Sequence, residues 1–213
     1  MDRTITRVPT WTPFLLHAAW SLAPWRLSLV PVAAGAAMLH AGRLIDRKAL
    51  KQIMHRLLIG TRTPGEVAPV AARFAARYIA RHVTPATRAR IAADRDAGYR
   101  IVVATAAHRF YAAPLLAMLG VDDLVATEAA LADGHITPRI VGENCYGRHK
   151  HAMIGRWMRD QGIDRASAHV RFYSDHLSDL PTFDWADEAY AVNPHAPLRR
   201  LAAMRGWTVL DWR

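Results

Sequence analysis

The chain reads as an α/β protein: a three-layer, Rossmann-like, mostly parallel sheet with an all-helical block inserted near its start. Three observations predict this. From Arg100 onward, short runs rich in β-branched residues alternate with helical stretches, the order expected of right-handed β-α-β units. From Pro13 to about Asp94 the patterned segments are helical and nothing reads as a strand. The 213 residues, 52% hydrophobic and 22% charged, suffice to bury one elaborated domain or two small ones.

Taken in order, residues 45–58 place Ile45, Ala49, Ile53 and Leu57 four apart, with Arg47, Lys48 and Lys51 off that stripe, as in an amphipathic helix. A Gly60-Thr61-Arg62-Thr63-Pro64-Gly65 break follows, and a helix resumes over 67–82. Thr84-Pro85 is a cap with proline at the first helical position, opening a helix over 85–97 that Gly98 ends. Ile101-Val102-Val103-Ala104 has the signature of a buried parallel strand, and a helix is expected from about His108 to Leu119. Further strands are expected at 121–127, 136–141 (a strand or hairpin arm between Gly134 and Gly142), 170–173, 190–192 and 207–210. Helices are expected at 150–161, 180–186 and 197–204. The resulting division is a core of residues 1–12 and 95–213 with a helical cap of 13–94.

Charge and cysteine usage narrow the function classes. Of the net charge of +10, residues 43–100 hold thirteen Lys/Arg against four acids. Such a field attracts phosphorylated small molecules, nucleic acid or an anionic membrane without choosing among them, and solvated helix faces give the same count. The single cysteine, Cys145, excludes an internal disulfide framework and a thiolate metal cluster; it fits a reducing compartment, and a cytoplasmic location is expected. No secretory signal is evident. The apolar stretch 14–41 is interrupted by Arg26 and punctuated by Pro24 and Pro31, and its charge-free run 27–42 is shorter than the ~20 residues of a spanning helix. Buried helices are expected there, with peripheral membrane contact as the secondary reading. No G-x-S-x-G, G-K-[ST] or G-x-G-x-x-G pattern occurs, and the eleven histidines show no zinc-site spacing.

Four places could carry chemistry. Phe172-Tyr173-Ser174-Asp175-His176-Leu177-Ser178-Asp179 sets two carboxylates four apart directly after a strand. Ligands of α/β sheets bind at such carboxyl ends, and paired acids suit a hard cation such as Mg²⁺; Ser174 or Asp175 as N-cap and Asp179 as a first-turn acid is the competing assignment. Thr105 ends a strand just before a helix, where its hydroxyl and free backbone N–H groups bind phosphate oxygens or simply cap. Lys150 heads a helix, as a neutralising charge or a surface lysine. Asp2 and Thr4 open the chain as D-x-T.

In chain order, D-x-T, Thr105, Lys150 and D-x-x-x-D resemble the haloacid dehalogenase (HAD) superfamily, subfamily IB, the phosphoserine-phosphatase-like branch with a helical C1 cap. The likeness covers essentially the whole chain. It implies a Mg²⁺-dependent phosphatase acting through an aspartyl-phosphate. Asp2 would be the general acid/base, its backbone carbonyl helping to hold Mg²⁺, and Thr4 would support the loop. Thr105 and Lys150 would bind the phosphoryl group, and Asp175 would ligate Mg²⁺ with Asp179 beside it. The expected metal set is therefore Asp2, Asp175 and Asp179.

The family motif is D-x-D-x-T, and its first aspartate, the nucleophile, would fall immediately before Met1. The central strand leading into it would precede Met1 as well. The expectation is a start assigned several residues too late, so that this 213-residue chain turns over little until the preceding residue is restored. A degenerate module binding anionic partners through residues 43–100 is the alternative. No acid lies between Asp2 and Asp46, where phosphoserine phosphatases hold the substrate's ammonium group. A small anionic or partly apolar phosphomonoester is therefore the expected partner, with no specific nucleic acid and no oligomeric state implied.

Overall fold

The computed structural model describes residues 1–212. Five helices come first: α1 (Trp11–Leu22), α2 (Val30–Ala41), α3 (Arg47–Leu58), α4 (Pro64–His82) and α5 (Pro85–Asp96), with a short 3-10 helix, Pro24–Leu29, between α1 and α2. The alternating part follows as β1 (Val102–His108), α6 (Arg109–Ala117), β2 (Asp123–Ala132), β3 (His135–Val141) and α7 (Arg148–Asp160). It continues with β4 (Arg171–Ser174), α8 (Leu180–Phe183), β5 (Glu188–Val192), α9 (Ala196–Arg205) and β6 (Thr208–Leu210).

Local chemistry explains the helix ends. Asp46 accepts from the Ala49 amide at 2.6 Å, Thr63 and Glu66 form a reciprocal capping box, and Thr84 accepts from Thr87 ahead of Pro85. Arg26, the charge inside the apolar stretch, closes the far end of α3: its Nη1 donates to the carbonyls of Arg56 and Leu57, both at 2.8 Å, groups a helix terminus leaves without intrahelical partners. The stripe expected to bury α3 is corrected. Ile45, Ala49, Ile53 and Leu57 are only partly covered, whereas Lys51, Met54, His55 and Leu58 are buried. The helix is covered on more than one side, by α1 and α2 and by β3, so a one-face periodicity misjudged it.

The sheet is mostly parallel, as expected, but lies in two three-stranded halves, β1-β2-β3 and β4-β5-β6. β1–β2, β4–β5 and β5–β6 are parallel, and β2–β3 is an antiparallel hairpin. Its two-residue loop, Asp133-Gly134, has positive φ at both positions (48° and 74°), which suits a tight hairpin turn. β1 and β4 each stand at an edge of their half. Residues 101–104 and 170–174 line one cavity of ≈ 340 Å³, with Met1, Ile5, Trp157 and Trp185 among its other walls.

One apolar cluster runs from α1, α3 and α4 through β1 and α6, and includes Phe14, Leu58, Phe74, Val103 and Tyr111. The second half has its own small cluster of Phe183, Ala191, Leu198 and Ala202. Asp94 on α5 ties the two regions: it accepts from Arg171 at 2.9 Å and from the Tyr173 hydroxyl at 2.8 Å on β4. Among the described residues, no helix is long and apolar enough to cross a membrane.

Candidate active site

The first turn of the chain folds around one carbonyl. The amides of Thr4, Ile5 and Thr6 all point at the Met1 oxygen, at 3.3, 2.7 and 3.1 Å, and Arg3 takes a left-handed φ of 58° to close the loop. The Asn193 amide donates to the Arg3 carbonyl at 3.1 Å and anchors the loop to the end of β5. Thr4 then reaches across the chain, its hydroxyl donating to Asp175 at 3.1 Å. This bond ties the loop to the segment that follows β4.

Asp2 is oriented by groups the sequence did not single out. Its Oδ1 accepts from the amide (3.2 Å) and hydroxyl (2.9 Å) of Thr10, and that hydroxyl contacts the Tyr111 hydroxyl at 3.1 Å. Burial, then the charge of Asp2, holds the Tyr111 phenol well above its ordinary range. The same two causes push Tyr78 up to about 12. Both phenols therefore stay protonated around Asp2 at neutral pH.

Lys150 and Asp179 form a buried pair at 2.6 Å, and Ser174 donates to the same carboxylate oxygen at 2.6 Å. Gly147 ends the loop before α7 with a φ of +56°, and a Cβ there would sit 3.4 Å from the Ser178 carbonyl; glycine lets this turn bring Lys150 onto Asp179. The other oxygen of Asp179, which is 2% exposed, has no hydrogen-bond partner among the described residues. Thr105 sits at the irregular end of β1, where its hydroxyl accepts from the Ala107 amide at 3.1 Å.

The chain's amino group completes the picture. The Met1 ammonium is buried, and desolvation lowers its pKa, followed by the field of Lys150; Asp2, Asp175 and Asp179 oppose that shift. The three carboxylates expected to form a metal set do not converge as a cluster among the described residues. Asp2 Oδ1 accepts from Thr10, and one oxygen of Asp179 accepts from Lys150 and Ser174. The oxygen-only donors that remain, Asp175, the unpartnered oxygen of Asp179 and main-chain carbonyls, suit a hard cation such as Mg²⁺ in kind. The basic stretch is also partly spent internally, since Arg62, Arg90, Arg95 and Arg100 pair with Glu66, Asp94, Asp122 and Asp123.

A carboxylate-bearing loop, a threonine at the end of β1 and a buried lysine–aspartate pair after β4 are groups of the kind that phosphoryl-handling α/β enzymes use. Residues 1–184 match the family described as haloacid dehalogenase-like hydrolase, and the chain belongs to that family. It is 29% identical over 150 residues to a histidinol-phosphatase of Neisseria meningitidis, covering 70% of this chain and 68% of that protein. It is 37% identical over 120 residues to a phosphoserine phosphatase of Mycobacterium tuberculosis, covering 55% of this chain but only 38% of that longer protein. The crystal structure of a Bordetella pertussis protein of unknown function superposes with a TM-score of 0.90 at 25% identity, covering 100% of this chain and 96% of the other.

Proposed function

We propose that the protein is a Mg²⁺-dependent phosphomonoesterase working through an aspartyl-phosphate, with the nucleophilic aspartate attached directly to the Met1 nitrogen. The observation that carries this is the buried Met1 amine among Lys150, Asp2, Asp175 and Asp179. A residue joined there by a peptide bond falls among the groups a phosphoryl-transfer site needs. The cavity between β1 and β4 supports an extended segment leading into that residue.

The chemistry divides among residues already placed, with 13–94 as the cap over a core of 1–12 and 95–213. The added carboxylate attacks phosphorus, and Asp2, steadied by Thr10, gives its proton to the departing alcohol oxygen. Asp2 then takes a proton from the water that opens the acyl phosphate, and inorganic phosphate leaves. Thr105 and the backbone N–H groups after it hold phosphoryl oxygens, while Lys150, fixed by Asp179, offsets their charge. Asp175 and the Asp2 carbonyl would hold Mg²⁺, with Asp179 orienting its ligands; the ion supplies charge neutralisation at the phosphoryl group. The expected substrate is a small anionic or partly apolar phosphomonoester, met in the cytoplasm.

The test joins five apolar residues and a final aspartate to Met1 and assays p-nitrophenyl phosphate with and without EDTA. The extended protein should exceed the 213-residue chain by about 10⁴-fold or more, the scale of losing a nucleophile. Asparagine at the added position and EDTA should each abolish the gain. Equal activity of the two chains would refute the proposal.

A further inference from the structure

Where the cap meets the core, a second polar cluster lies beside the catalytic loop. Lys51 of α3 is 7% exposed and has no carboxylate within 4.0 Å among the described residues. Its ammonium donates to the Ala106 carbonyl and, at 2.8 Å, to Asn144 Oδ1, both neutral. The amine lies 5.8 Å from the centre of the Trp11 ring, which is 4.9 Å from His108; His108 is 5.7 Å from His55, one turn along α3 from Lys51. His108 is completely buried, and among the described residues neither of its ring nitrogens has a hydrogen-bond partner, nor does the buried Trp11 indole N–H.

These are costly arrangements unless something answers them. A buried cation without a counter-charge and buried donors without acceptors each oppose folding. The donors outnumber the acceptors: Lys51 and Trp11 only donate, and a neutral His108 donates from one nitrogen. Burial pushes Lys51 down to about 8, with the Asp2 charge opposing, so it is mostly charged at neutral pH. Trp11 follows Thr10, which holds Asp2, and Ala106 follows Thr105. The cluster therefore borders both the Asp2 loop and the end of β1, the two elements of the proposed phosphoryl site.

We infer that Lys51, Trp11 and His108 form the leaving-group pocket and accept a phosphomonoester whose alcohol carries a second anionic group, a carboxylate above all. This rests on the phosphatase reading and deepens it by naming the residues that select the substrate. An ammonium group in the same place would face the like charge of Lys51, so cationic and zwitterionic alcohols are disfavoured.

Calorimetric titration of the 213-residue protein with inorganic phosphate, phosphoglycolate and phosphoethanolamine tests it. Phosphoglycolate should bind at least about tenfold more tightly than phosphoethanolamine, the size of one charge-assisted hydrogen bond. Lys51→Met should bring that ratio to about one, Lys51→Arg should keep most of it, and Trp11→Phe should reduce it partway. A ratio near one in the unaltered protein, or one unchanged by Lys51→Met, overturns the assignment. An equal loss for all three ligands in Lys51→Met also overturns it, by placing Lys51 on the phosphoryl group itself. Failure of inorganic phosphate to bind the unaltered protein would instead remove the phosphate site, and this pocket with it.

Discussion

β1, β2 and β3 adjoin an apolar cluster continuous with α1, α3, α4 and α6, whereas the cluster of the β4, β5 and β6 half is small, built on Phe183, Ala191, Leu198 and Ala202, and charges lace its edges. Arg171 bridges Asp94 and Glu188 at 2.9 and 3.0 Å, Arg165 reaches Asp187 at 3.0 Å, and Arg205 reaches Asp184 at 3.0 Å. Apolar burial is insensitive to moderate salt, while exposed ion pairs are screened within about 10 Å at 0.1 M. The charge-laced half also borders the open cavity through β4. A strand laid there would give the second half the apolar cover that the first already has.

The strongest way to break the contrast is to fill the cavity. Besides restoring activity, the six-residue extension should slow amide exchange in β4 by about 100-fold while changing β3 little; equal protection of both halves would deny the strand its place. Next in size, Phe14→Ala should cost about 4 kcal/mol in urea unfolding, because Phe14 is fully buried against Phe74 and Tyr111. Phe183→Ala, in the smaller cluster, should cost less. Asp94→Ala removes the acid that holds Arg171 and Tyr173 and should cost about 3 kcal/mol. Its loss should be most visible as faster exchange in β4.

A smaller effect separates the halves by pH. His55, on the apolar side, is held down to about 4 by burial, with the Gly60 backbone opposing. Unfolding lets it protonate near 6.5, so its stabilising contribution is full above that pH and is lost as pH falls toward 4, by up to about 3 kcal/mol. Glu188, on the charged side, is held down to about 2 by Tyr190 first, then by His169 and Arg171. Its contribution is present above about 4.5 and is lost as pH falls to 2; its exposure makes that contribution the smaller one. Urea midpoints measured from pH 7 to 3 should show a shallower upper slope in His55→Phe, with the buried His108 keeping the remainder, and a shallower lower slope in Glu188→Gln.

Much of this architecture was legible because β-branched runs and glycine breaks mark the strands locally. β2 extends past Thr127 through Glu128 and a run of alanines, residues with little strand preference; pairing with β3 holds them extended, and no short window could show that. Thr105, Lys150, Asp175 and Asp179 stood out as motif residues in chain order, and Lys150 and Asp179 are indeed in contact. Thr10 and Tyr111 did not stand out, because their hold on Asp2 joins segments 101 residues apart. Lys51 was assigned to the polar side of its helix; the end of β1 at Ala106 and the loop at Asn144 close over it and turn a polar face into an interior one.

Arg26 bears on the character of the apolar stretch as well as on the end of α3. It is the only Lys, Arg, Asp or Glu between residues 14 and 41, and a charge near the centre of an apolar segment raises the cost of its insertion by about 3 kcal/mol on translocon scales. In the folded chain the same guanidinium covers two helix-end carbonyls. Arg26→Leu would therefore uncap α3 and at the same time leave residues 14–41 an uninterrupted uncharged segment.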